Sequence, residues 1–269
     1  PKVYGVHLSD DWQFVRRGGW TNYLFTSICH RDYGDINLCD IFARLAEETP
    51  VVQQLIFEVR DEDRDYAESL LAEHGVKPDD FLACFQLGAS ENEKRWPEHR
   101  FAGLAKLLNA RFGGKTVLLG VKEEAPFGEE FARHYPGPTI PLFGKTTVAQ
   151  LAAVLERANV LVTNDTGTMH LAAAVHCPIV LVSVGPVYFR ETGPYGAGHC
   201  AIERRRETVV SGEYALAEAE KRDFIRPEQV MQAVEIVLAT PRGTLHPPVE
   251  ESEDLHEVVI YQSAFAPDS

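Results

Sequence analysis

The sequence predicts an α/β protein built on a mostly parallel sheet. Three observations carry this. Short apolar runs at 81–87, 116–120, 160–162 and 179–184 read as buried strands. Helix patterns at 98–111, 148–158 and 169–175 separate them. The stretch 158–196 reads as strand, tight turn, helix and strand, a βαβ unit. Its turn lies at the carboxyl end of the first strand, the edge where open α/β sheets bind ligands.

Bulk properties narrow the class. With 269 residues, the chain can bury one large core or two modest ones. Hydrophobic residues make up 45% and charged residues 25%, the composition of a soluble globular protein. No apolar run reaches membrane-spanning length and no signal peptide is visible, so the expected setting is cytoplasmic. Cys29, Cys39, Cys84, Cys177 and Cys200 are scattered and form no CxxC pair, which favours free thiols. The net charge of -14 argues against nucleic acid or an anionic membrane as partner. It leaves room for a small anion held by a local positive site. The chain opens on Pro1, as a fragment or a processed chain would.

Residues 2–8 alternate weakly as a strand, and 12–20 have no clean period. Residues 37–47 carry Leu38, Ile41, Phe42 and Leu45 at helix spacing. Residues 55–59 suit a strand. Residues 61–75 suit a helix with acids in its first turn and a glycine at its end. Lys77 to Asp80 is a turn, and the domain boundary is placed there. The division is 1–78, 79–240 and an acidic, proline-containing tail at 241–269.

After strand 81–87 come Gly88, Ala89 and Ser90, then Lys94-Arg95-Trp96-Pro97 and a helix. A strand, a small-residue loop and a helix together make a place for phosphate. Past strand 116–120 stand Glu123 and Glu124. A carboxylate there accepts ribose hydroxyls in many nucleotide folds, or else simply begins an acidic helix. Lys145 and Thr146 lie in a turn before helix 148–158. Lys145 is either a phosphate contact or a solvated lysine.

The turn 164–168 is the most informative stretch. Asp165 is placed as an N-cap, accepting the Thr168 amide. Thr166, Gly167 and Thr168 then expose amides at the positive end of a helix, which suits a phosphate. Gly167 permits close approach, and the His170 ring can donate to a phosphate oxygen. The plain alternative is a capped helix with a surface histidine.

Residues 185–196 read as a loop too rich in Gly, Pro and aromatics for a helix, with Thr192 and Tyr195 able to reach a sugar or phosphate, the alternative for Tyr195 being simple packing. Residues 200–203 are a last strand, Arg204 to Arg206 a solvated charge run, and 227–239 an amphipathic helix with Pro227 near its start. In the tail, 246–257 reads as mobile, and 258–261 suits an edge strand or the lead into a further domain.

Taken in order, Asp165-Thr166-Gly167, His170, Ala172-Ala173-Ala174, Gly185-Pro186 and Pro194-Tyr195-Gly196 resemble the heptosyltransferase family, glycosyltransferase family 9. The segment Gly88-Ala89-Ser90…Lys94-Arg95-Trp96-Pro97, the Gly144-Lys145-Thr146 turn and helix 227–239 add to the likeness, which spans roughly 80–240. The resemblance implies a GT-B fold: a Rossmann-like donor domain after an incomplete N-terminal Rossmann-like domain. It implies diphosphate contacts from Ser90, Lys94, Asp165, Thr166, Gly167, Thr168 and His170. It implies nucleoside contacts from Glu124 or Glu123, Lys145 and Thr146. The family's presumed base, an aspartate in a G-D-x-[LIV] loop, has no counterpart in the first forty residues, Gly34-Asp35 being only a superficial match. The catalytic residue is therefore unassigned.

The implied reaction moves a sugar, with ADP-heptose the favoured donor, to a lipopolysaccharide-type or other glycan acceptor. It calls for no cofactor and no metal. The alternatives are a binding module without transferase activity, and a GT-B-like sugar-nucleotide epimerase or hydrolase.

Overall fold

A computed structural model describes residues 6–8, 15–17, 19–29, 36–46, 48, 54–185, 188–204, 223–244 and 258–262. The readings at 12–14, Gly34-Asp35, Pro186, Arg205-Arg206 and 246–257 lie outside the described residues, as does the Cys29 side chain.

A small antiparallel pair, β1 (Val6–Leu8) and β2 (Val15–Arg17), comes first. Helices α1 (Gly19–Cys29) and α2 (Leu38–Leu45) follow. Asn37 caps α2, its side chain accepting the Cys39 amide at 3.0 Å. Helix α1 was not expected: its sequence, GWTNYLFTSIC, has no polar face to betray a period.

The main sheet has seven strands: β3 (Leu82–Gln86), β4 (Lys115–Leu119), β5 (Thr139–Pro141), β6 (Val160–Thr163), β7 (Ile179–Ser183), β8 (His199–Arg204) and β9 (Val258–Gln262). Their spatial order is β5-β4-β3-β6-β7-β8-β9. The first six are parallel. β9 joins β8 antiparallel, so the expected edge strand is present. Without β9 the order is that of the dinucleotide-binding fold, with its reversal between β3 and β6. The expected α/β, Rossmann-like architecture is present.

Helices cover both faces. On one lie α4 (Glu98–Phe112), α5 (Ala125–His134) and α9 (Pro227–Ala239). On the other lie α3 (Asp61–Glu73), α6 (Val148–Arg157) and α7 (Gly167–Ala174). The strands feed both cores by alternation: Ala83, Phe85 and Leu87 face one layer, Leu82 and Cys84 the other. Helix α3 precedes residue 78, yet Ala67 and Leu71 sit in the core of this sheet.

Two local expectations fail. Residues 55–59 join no ladder. Val59 is buried in the core and Leu55 and Phe57 pack against it, so packing rather than sheet pairing selects these apolar side chains. The loop after β7 contains one helical turn, α8 (Phe189–Thr192). It is stabilised by burial of Phe189, whose ring packs tilted against Tyr261 of β9 at 4.9 Å between ring centroids.

Cys39, Cys84, Cys177 and Cys200 are free thiols. No helix among the described residues is long and apolar enough to cross a membrane.

Candidate functional site

A cavity of about 800 Å³ opens at the carboxyl edge of the sheet, at the β3/β6 reversal. Ser90, Lys94, Glu124, Thr146, Asp165, Thr166, Gly167, Thr168 and His170 line it together. Segments more than seventy residues apart in sequence thus meet around one space. Glu123 and Lys145 do not line it. Both are exposed, and Lys145 uses its carbonyl to accept the Tyr66 hydroxyl at 3.0 Å.

The α7 end of the cavity departs from expectation in one respect. Thr166, not Asp165, is the N-cap residue, and the Thr166 side chain makes no capping hydrogen bond. The chain turns one residue later, and the helix starts at Gly167. Gly167 and Thr168, the first residues of α7, line the cavity, so the positive end of the helix faces whatever fills it. A Cβ at Gly167 would meet no atom within 4 Å, so the space in front of it is open.

Two lysines line the cavity. Lys94, in a short 3-10 turn, is 19% exposed along its side chain and pairs with Glu91 at 3.0 Å. Lys122 also lines the cavity. Arg95 turns away: its guanidinium lies 3.9 Å over the Phe127 ring and pairs with Glu98. Trp96 is fully buried, its indole donating to the Ile225 carbonyl at 2.9 Å. It closes the loop by packing. His170 lines the cavity in the first turn of α7, and partial desolvation of its ring there lowers its pKa, with Asp165 opposing. Near neutral pH it is thus an uncharged imidazole with one N–H to donate.

Glu124 ends a 3-10 turn after β4. Its Oε2 accepts the Gln86 side-chain amide at 3.1 Å and the Val121 backbone amide at 3.0 Å. A Cβ on Gly88 would lie 1.7 Å from Glu124 Oε1, so glycine there makes room for the carboxylate. Leu119, Val121, Leu142, Val148 and Leu151 make the neighbouring wall apolar. Val121 and Val148 stay 58% and 65% exposed, an open apolar slot that suits a flat ring.

Sequence reasoning missed Gln86, Lys122 and Asn164. The Asn164 side chain donates to the carbonyls of Leu87 at 2.9 Å and Gly88 at 3.1 Å, and accepts the Trp96 amide. It ties the 88–96 loop to the end of β6. Its signal in sequence was only its place beside Asp165. Of the two residues proposed from the 185–196 loop, Thr192 lines the cavity, together with Tyr188. Tyr195 does not: its hydroxyl donates to Asp40 of α2 at 2.6 Å.

Known proteins share this architecture. The chain is 34% identical over 105 residues to lipooligosaccharide heptosyltransferase 2 of Haemophilus influenzae, covering 38% of this chain and 30% of that one. It is 29% identical over 150 residues to the protein of the same name from Haemophilus ducreyi, covering 54% and 42%. Among solved structures, a family 9 glycosyl transferase from Veillonella parvula superposes with a TM-score of 0.65 at 28% identity, covering 76% of this chain and 60% of that one. The ADP-heptose LPS heptosyltransferase II of Escherichia coli shares the fold, with a TM-score of 0.60 at 22% identity, covering 76% and 62%. The matches span less than two thirds of these relatives. Residues 38–223 match the model of glycosyltransferase family 9 (heptosyltransferase), well over half of the sequence, and the chain therefore belongs to that family.

Proposed function

We propose that this chain binds a nucleotide-diphosphate sugar and acts as the donor side of a glycosyltransferase. The favoured donor is ADP-heptose and the acceptor a lipopolysaccharide-type glycan. The observation that carries the reading is one cavity holding three kinds of group: helix-end amides with two lysines, a carboxylate in a glycine niche, and an open apolar slot. Those are the partners of a diphosphate, a ribose and a base. The choice of heptose rests on relatives that bear the name heptosyltransferase.

In this reading the Gly167 and Thr168 amides, Lys94 and Lys122 face the diphosphate. Charge accumulates there as the sugar–phosphate bond breaks, and preorganised donors stabilise that charge. Ser90 and neutral His170 add hydrogen bonds. Glu124 receives ribose hydroxyls, and the Val121–Val148 slot holds the base beside Thr146. Asp165 sits beside His170 and opposes the drop in its pKa. The acceptor hydroxyl needs a base to remove its proton, which is left unassigned.

Calorimetric titration with ADP, UDP, GDP and ADP-heptose tests this. Saturable binding of ADP and ADP-heptose is expected, with UDP and GDP weaker. Binding of no nucleotide would overturn the reading.

A further inference from the structure

Gln86 is the last residue of β3, lines the cavity wall and is only 4% exposed. Both ends of its amide are used. Its Oε1 accepts the Thr168 hydroxyl at 3.0 Å, and its Nε2 donates to Glu124 Oε2 at 3.1 Å. The carboxylate can only accept, which sets the amide's orientation.

The two partners come from opposite sides of the sheet reversal. Thr168 is in the first turn of α7, after β6, and Glu124 follows β4. β3 lies between β4 and β6. A buried, short side chain on the central strand thus bridges the helix end and the carboxylate. Two donors, Gln86 and the Val121 amide, occupy the lone pairs of Glu124 Oε2. A ligand hydroxyl then has Oε1 to donate to. The Thr168 hydroxyl, turned toward Gln86, leaves anion contact to the Thr168 backbone amide.

We propose that Gln86 is a positioning residue that fixes the Glu124 carboxylate relative to the α7 end and so makes the site selective for an intact ribose. This rests on the nucleotide reading given above. A site shaped to accept a hydroxyl rejects the analogue that lacks it, because the acceptor, covered by the bound nucleotide, is then left without a donor.

The test compares ADP with 2′-deoxy-ADP and 3′-deoxy-ADP by calorimetry on the chain as described, with folding checked by thermal melting. In the wild type, ADP is expected to bind roughly tenfold or more tightly than at least one deoxy analogue. Gln86→Leu should bring that ratio near one. Gln86→Glu keeps an acceptor for Thr168 but sets a second carboxylate beside Glu124. Two adjacent carboxylates hold a shared proton more tightly. In that variant, discrimination should be lost near neutral pH and recover at about pH 5 as the pair is protonated. A residue that only filled space would show no such profile. Should Gln86→Leu fail to fold, the pH profile of Gln86→Glu decides. Wild-type discrimination that persists in the folded variants at every pH would overturn the proposal. A wild type that binds ADP and both deoxy analogues alike would overturn the ribose role of Glu124, and the proposal with it. A wild type that binds no nucleotide would overturn the functional reading itself.

Discussion

The side-chain oxygen of Asn164 accepts the backbone amide of Trp96 at 2.9 Å, and neither residue has any exposed surface. The same side chain donates to the Leu87 and Gly88 carbonyls. One residue at the end of β6 therefore fixes both ends of the loop that carries Ser90 and Lys94. Asn164→Ala would strand buried backbone groups, each costing about 1–3 kcal/mol. We expect the unfolding free energy to fall by about 2–4 kcal/mol, read from the urea midpoint at constant slope. An unchanged midpoint would show that water satisfies these groups.

Lys94 and Arg95 are neighbours with opposite assignments. Lys94→Ala should weaken ADP binding by roughly 1–3 kcal/mol, the scale of a charged hydrogen bond. Arg95→Ala should leave affinity unchanged, because Arg95 is committed to Phe127 and Glu98. Its removal should instead lower the melting temperature. The reverse pattern would exchange the two roles.

Gly167 faces open space rather than protein. Gly167→Val should leave the melting temperature close to that of the wild type while abolishing nucleotide binding. Normal binding by the folded variant would place the ligand elsewhere in the cavity.

His199 governs part of the acid response. Burial, with His176 adding to it, lowers its pKa to about 4, and its Nδ1 is buried without a hydrogen-bond partner. In the unfolded chain a histidine titrates near 6.5. Between these values the unfolded chain binds the extra proton, so stability falls as pH drops from about 6.5 toward about 4. The full contribution is on the order of 3 kcal/mol. His199→Leu should flatten this part of the stability–pH curve. The same slope in both proteins would remove His199 as its source.

What the sequence revealed depended on range. Most strands of the main sheet and several of its helices follow from runs and periods within a dozen residues, whereas the three-residue strand β5 and helix α5 were not foreseen. Asp165 to Thr168 could be recognised as a turn leading into a helix at the sheet edge. The exact cap could not, since Thr166 and Asp165 are both good cap residues and the backbone decides between them. Glu124 was separable from Glu123 only by seeing which side chain enters the niche at Gly88. Gln86 and Asn164 were unreadable for a similar reason: a glutamine in a strand and an asparagine in a turn become informative only when their partners, 38 to 82 residues away, are known.

The last strand arrives late. β9 follows β8 by about fifty residues in sequence and is held to the sheet on one side only. Strands so placed open at lower free energy than strands paired on both sides. The β9 amides should accordingly exchange with solvent before those of β6 or β7. Each opening would withdraw Tyr261 from Phe189, and with it the support behind Tyr188 and Thr192 at the cavity wall. Ligand affinity would then follow a fluctuation of the sheet margin that leaves the rest of the domain folded.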